Sequence, residues 1–197
     1  MKTKIPSIEQ CYELLKRYNV PDHIIQHSEM VCNVAVFLTR ELNKRGEELS
    51  IYEIQAAALL HDVTKMEGIE KHQDHAKIGK ELLLKDGFIR IGEIVGQHVK
   101  LAEKQNSKPL SEEEIVNYSD KRVMHTNVVS LKERFADIRK RYGPKAPGLH
   151  INNGLAVIEY ECYNLEEKIF SKLDFGPEEL LNLMEAALIG CESGEED

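Results

Sequence analysis

His61 and Asp62 stand side by side at the end of an apolar helical stretch, Ala56-Ala57-Ala58-Leu59-Leu60. Polar groups of this kind are costly to hold at the mouth of an apolar helix unless they bind something. Together they offer one neutral nitrogen and up to two anionic oxygens, which is a donor set for a divalent cation. Alone the dipeptide is a weak signal, since a histidine at a helix C-terminus also sits well against the negative end of the dipole. The rest of the chain strengthens it with His27, His75, His98 and Asp120. Each lies within or at the edge of its own helix-like segment, so six donors from five segments can converge. If His27, His61, Asp62 and Asp120 surround one cation, they form a mixed nitrogen and oxygen set suited to Fe, Mn or Zn, whereas calcium prefers oxygen alone.

The order of these residues, and what flanks them, resembles the HD-domain metal-dependent phosphohydrolases. The resemblance is carried by His27-Ser28-Glu29-Met30-Val31 with Val34-Ala35, by Leu59-Leu60-His61-Asp62-Val63-Thr64-Lys65, by His75-Ala76-Lys77-Ile78-Gly79, by the lone His98, and by Tyr118-Ser119-Asp120-Lys121-Arg122-Val123. It spans roughly residues 20 to 142 and is specific as an ordered composite, far more than in any one piece. It implies an all-α helical bundle. It also implies a two-metal site in which His75 and His98 bind a second ion and Asp62 bridges both, with Fe or Mn favoured and Zn, Ni, Co or Mg as alternatives.

The activity implied is hydrolysis of a phosphoester or phosphoanhydride, of a nucleotide, by water activated between the ions. Asp62 and Lys65 are the expected catalytic residues, with Lys65 stabilising phosphoryl charge or the leaving group. Lys65, Lys121 and Arg122 are the candidates for phosphate contacts. Two other readings stay open: a catalytically silent HD fold that binds a nucleotide or metal and regulates a partner, and an HD-type diiron oxygenase. Within the family, Val63-Thr64-Lys65-Met66-Glu67 lacks the acidic pair of the guanosine-tetraphosphate hydrolases, and no Gly-Tyr-Pro follows His98. The pattern looks more like the branch with symmetrical dinucleoside-tetraphosphate hydrolases, though its intervals are shorter.

The elements that must position these donors are marked by capping signals. Ser7 opens a first helix to about Tyr18, and Pro21 suits the first turn of a second, which carries His27 and runs to Gly46. Ser50-Ile51-Tyr52-Glu53 reads as a capping box opening the helix that ends at His61-Asp62. Asp74 caps the next helix, with His75 in its first turn and Lys85-Asp86-Gly87 as its stop. Residues from Ile89 to about Glu103 read as one amphipathic segment holding His98.

Lys104 to Leu110 read as a polar loop. Ser111-Glu112-Glu113-Glu114 and Ser130-Leu131-Lys132-Glu133 are two further boxes, opening the helix with Asp120 and one reaching Tyr142. Gly143-Pro144-Lys145-Ala146-Pro147-Gly148 is a break, and two helices follow, at about 150–172 and 177–189. The domain reading is a helical core over 1–142, a C-terminal helical extension packed on it over 143–191, and an acidic tail over 192–197. No sustained strand alternation is present.

Composition frames this reading. The 197 residues are 42% hydrophobic and 30% charged, ordinary for one globular domain with a substantial core. No apolar run reaches the ~20 residues of a membrane helix, and the N-terminus lacks the apolar core of a secretion signal, which predicts a cytoplasmic protein. Cys11, Cys32, Cys162 and Cys191 form no CxxC pair and read as buried or incidental thiols. With 26 basic against 34 acidic residues and a formal charge of −8, the balance disfavours an extended nucleic-acid surface and leaves a small phosphorylated substrate as the expected partner, with a homo-oligomer possible. His23, His72, His125 and His150 fall outside the motif order and read as surface or structural groups. Tyr118 and Arg134 are candidates for support of the site.

Overall fold

The computed structural model describes residues 4–102, 109–142 and 151–192 and is all-α. The first helices are α1 (Ile8–Arg17), α2 (Asp22–Asn43) and α3 (Ile51–Leu60), followed by α4 (Lys65–Lys71), α5 (His75–Lys85) and α6 (Ile89–Val95). After α7 (Glu112–Lys121) comes a two-residue hairpin, β1 (Val123–Met124) and β2 (Asn127–Val128), then α8 (Leu131–Tyr142), α9 (Ile151–Phe170) and α10 (Leu180–Glu192). The Gly143–Gly148 break, most of the Lys104–Leu110 loop and the acidic tail beyond Glu192 lie outside the described residues.

Helix α3 is the axis of the fold. From Ala56 to Leu60 every side chain is buried, because α2, α6 and α7 surround it. A helix apolar on all faces belongs in the centre of a bundle, and its three alanines let neighbouring backbones approach closely. Around it the core collects Leu38 and Leu42 of α2, Ile91 and Ile94 of α6, Ile115 and Tyr118 of α7, and Phe135 of α8. Helices α5 and α6 form an antiparallel pair so tight that a Cβ on Gly92 would lie 2.9 Å from the carbonyl oxygen of Lys80.

The caps explain most of the boundaries. Ser7 with Gln10, Ser111 with Glu114 and Ser130 with Glu133 each satisfy free backbone donors reciprocally, and Asp74 accepts from the amides of Ala76 and Lys77. Ser50 departs from expectation. Its hydroxyl accepts from Glu53 N, but its own amide donates to Glu112 Oε1, while the Glu53 carboxylate turns to Arg90. The start of α3 is therefore tied to α7 and α6 instead of closing on itself.

The C-terminal helices add Leu165 and Ile169 of α9 and Leu180 of α10 to this core, and charged contacts tie them at its edge. Lys168 of α9 donates to both carboxylate oxygens of Glu114, and Lys172 meets Glu47 at 2.6 Å. Cys11, Cys32 and Cys162 are buried free thiols. Among the described residues, no helix is long and apolar enough to cross a membrane.

Candidate metal centre

The six predicted donors meet where five segments converge. His27 comes from the middle of α2, His61 and Asp62 from the turn that ends α3, His75 from the first position of α5, His98 from beyond the end of α6, and Asp120 from the last turn of α7. Five of them are at most 7% exposed, and His75 is half-buried. They divide into two sets, His27, His61 and Asp120 on one side and Asp62, His75 and His98 on the other.

Local backbone aims the rings. Helix α3 leaves carbonyls free at its C-terminus, as every helix does, and His61 folds back so that Nδ1 donates to the oxygen of Ala58 at 2.8 Å. His98 repeats the device on α6, with Nδ1 donating to Val95 at 2.7 Å. This departs from the single segment expected from Ile89 to Glu103. The helix stops at Val95 with Gly96 as its cap, and the imidazole takes up the freed carbonyl. His27 has no helix end beside it and donates from Nδ1 to the backbone oxygen of His125 at 2.9 Å. With Nδ1 committed in all three, Nε2 is the atom left to hold either a proton or a metal ion.

Those Nε2 atoms face carboxylate oxygens. His27 Nε2 lies 3.2 Å from Asp120 Oδ1, and His61 Nε2 lies 3.6 Å from the same oxygen and 3.4 Å from Asp62 Oδ2. On the other side Asp62 Oδ1 is 3.3 Å from His75 Nε2 and 3.6 Å from His98 Nε2, while the two histidine nitrogens are 3.0 Å apart. Ligand atoms each ~2.1 Å from one ion sit roughly 3.0–3.5 Å from one another, and the observed spacings fall around that range. Among the described residues, His61 Nε2 is also wholly buried with no hydrogen-bond partner, a state that costs free energy unless something occupies the space before it. The donor set fits a divalent metal.

The electrostatics agree. Burial pushes both carboxyls up, yet His61, His75 and His98 hold Asp62 well below the usual carboxylate range, and Lys121 with His27 and His61 does the same for Asp120. Burial pushes His61 down, but the adjacent Asp62 and Asp120 outweigh it and raise its pKa to about 9. His98 is lowered to about 4, chiefly by burial. Two carboxylates in a dry pocket demand positive charge, which Lys65 and Lys121 supply from the side, and the same carboxylates raise the proton affinity of His61.

The basic residues expected at phosphate take three different positions. Helix α3 does not continue through Asp62; a tight turn follows, and α4 starts at Lys65, whose Nζ lies 2.5 Å from Asp62 Oδ2 with part of the side chain in solvent. Lys121 is buried and braces the site from behind, donating to Asp120 Oδ2 at 2.7 Å and to the His98 carbonyl at 2.9 Å. Arg122 points away from the donors: its guanidinium donates to Val129 O beyond β2, to Pro177 O between α9 and α10, and to the Tyr118 hydroxyl beside Glu166 of α9, so each of its nitrogens is already engaged. A basic residue one position past a helix end can face either side, so its neighbour Asp120 does not decide its direction.

Sequence reasoning missed two contributors. The His125 carbonyl that holds His27 comes from a left-handed turn residue, φ 57°, in a hairpin too short for an alternating pattern. Asn117 donates to the carbonyls of Gln97 and His98 and so fixes the chain where α6 has ended. Its only advance signal is its place one turn before Asp120.

Residues 24–124, just over half of the chain, match the HD domain family. The chain belongs to that family. Two curated relatives are similar to it. It is 33% identical over 98 residues to a tRNA (cytidine(56)-2'-O)-methyltransferase of Thermoplasma volcanium, covering 48% of this chain and 26% of that protein. It is 33% identical over 144 residues to the protein of the same name from Picrophilus torridus, covering 66% and 40%. The chain thus spans well under half the length of each. No solved structure matches it significantly. The names overturn the expectation that an extended nucleic-acid surface is disfavoured, since both relatives are tRNA enzymes by name. The formal charge of −8 is a sum over the chain and does not report how the 26 basic residues are distributed.

Proposed function

We propose that this HD domain is a metal-dependent phosphohydrolase that cleaves a phosphoester or phosphoanhydride of a nucleotide, whether free or part of an RNA. The observation that carries this reading is the division of Asp62, whose Oδ2 faces His61 while Oδ1 faces His75 and His98. A carboxylate shared in this way suits two ions held side by side, with His27, His61 and Asp120 completing one site and His75 and His98 the other. Metal ions held by these residues would supply an acidified water and neutralise charge on phosphoryl oxygens. Mixed imidazole and carboxylate ligation favours Fe or Mn, with Zn, Ni, Co or Mg as alternatives.

The protein's own groups have separate roles in this reading. The Nδ1 bonds to Ala58, Val95 and His125 fix each imidazole before substrate arrives, which is the preorganisation that catalysis by fixed charge needs. Lys65, beside Asp62 and reaching solvent, is placed to meet a phosphoryl oxygen. The relatives' names bring RNA into the substrate class; the methyl transfer in those names is no part of this proposal.

The test combines elemental analysis with phosphate release from a panel of mononucleotides, dinucleoside polyphosphates and phosphorylated RNA oligonucleotides. Near two metal equivalents and release by the wild type are expected, with both lost in Asp62→Ala. Equal release by the two proteins would discard the mechanism.

A further inference from the structure

Arg134 is 8% exposed, lies in the first turns of α8 and, among the described residues, is met by two long ion pairs. Its Nη2 is 3.8 Å from Asp120 Oδ1 and its Nη1 is 3.8 Å from Asp137 Oδ2. Both distances are outside hydrogen-bond range. Among the described residues, its Nε is buried with no hydrogen-bond partner. Asp120 cannot draw it closer, because His27 and His61 face Oδ1 and Lys121 takes Oδ2 at 2.7 Å. A buried guanidinium with an unfilled Nε and only long ion pairs at its Nη atoms is costly, and its planar fork matches the oxygens of a tetrahedral anion.

The direction of the side chain narrows the ligand. Nη2 approaches the same Asp120 oxygen that faces His27 and His61, so the guanidinium borders the proposed metal centre. Lys65 stands at the other carboxylate, Asp62, and is near enough to Arg134 for the two positive charges to repel. Two mutually repelling cations beside paired carboxylates make a place where an anion relieves both. Lys65 holds one carboxylate oxygen and keeps part of its side chain in solvent, whereas Lys121 is buried and holds both Asp120 and the His98 carbonyl.

We infer that Arg134 is a substrate-binding residue, whose guanidinium takes the phosphoryl oxygens of the substrate opposite Lys65. This rests on the phosphohydrolase reading and assigns the residue that holds the phosphate in it. No residue of the α7 motif supplies this contact: Lys121 is behind the site and Arg122 is turned away.

Binding of inorganic phosphate to manganese-loaded protein, followed by titration calorimetry beside metal content and thermal melting, tests it without relying on turnover. Arg134→Gln should weaken phosphate binding about 10- to 100-fold, the value of a lost charge-assisted contact, with metal content unchanged. Arg134→Lys, which keeps the charge but not the fork, should recover part of the affinity and supplies the comparison if the glutamine variant fails to fold. Phosphate affinity equal to wild type in these variants would overturn the inference. So would loss of metal in step with loss of phosphate, which would make Arg134 a support for Asp120 only. A wild type that holds manganese but binds no phosphate would remove the phosphohydrolase reading, and this inference with it.

Discussion

His27 donates from Nδ1 to the backbone oxygen of His125, 98 residues later in the chain, and so the middle of α2 is oriented by a turn of two-residue strands. The contact uses the backbone of His125 and not its exposed side chain. What matters at position 125 is therefore the left-handed conformation, φ 57°. Glycine adopts it freely, whereas a β-branched residue pays roughly 1–2 kcal/mol. His125→Gly should retain the metal content of the wild type, and His125→Val should lower the melting temperature and loosen the ion held by His27. Elemental analysis with thermal melting checks both, and equal metal retention by the two variants would break the link.

The two donor sets predict asymmetric losses. His75→Ala should remove one metal equivalent and leave the set of His27, His61 and Asp120 filled, because His75 belongs only to the other group. His27→Ala should do the reverse. Metal counting under identical loading decides, and a total loss from either substitution would mean that the ions are bound cooperatively as one unit.

Proton release should accompany metal binding. A ligating imidazole must be neutral at its bonding nitrogen, and in the metal-free protein the pKa of His61 is raised to about 9. Below that value an incoming ion displaces a proton, so manganese affinity should climb from about pH 6.5 to about pH 8.5. Stability of the metal-free protein runs the other way. A raised histidine pKa contributes stability that is fully present below the ordinary value of 6.5 and lost as pH rises through about 9. Calorimetric titrations in buffers of different ionisation enthalpy measure the protons released. A flat affinity profile across this window would contradict the pairing of His61 with Asp62 and Asp120.

Gly68 makes a structural prediction at the second set. A Cβ added there would lie 2.6 Å from His75 Cβ and 3.0 Å from its Cα, where α4 crosses the start of α5. Neither atom can swing aside without moving the backbone, and overpacking of this kind costs about 1–3 kcal/mol. Gly68→Ala should displace His75 and lower occupancy of the His75 and His98 site while the other stays filled. Metal content and melting temperature report it, and an unchanged count of ions would show that α4 yields instead.

The donors themselves were legible in the sequence because their types and order are chemical facts that folding does not change. So were the starts of α1, α5, α7 and α8, since Ser7, Asp74, Ser111 and Ser130 act on amides within three residues of themselves. Features decided by distant partners were not. Ser50 lost half of its box to Glu112, which lies 62 residues away. Arg122 follows Glu166 and Pro177, and the end of α6 depends on Gly96 and on Asn117 across the site. The apolar pattern carries on past Gly96 in the sequence, yet the helix has stopped at Val95 and among residues 96–102 only His98 is buried.

His61 and His98 each lean on a carbonyl three residues back in the same chain segment, so their aim is settled within a single turn of backbone. Orientation of these two ligands then needs no ion; it arrives with the local winding of α3 and α6, while Asn117 and Lys121 of α7 hold the chain at His98. The ion is spared the work of gathering loose side chains, and a chelated sample should keep those two rings in register, ready to reload without refolding.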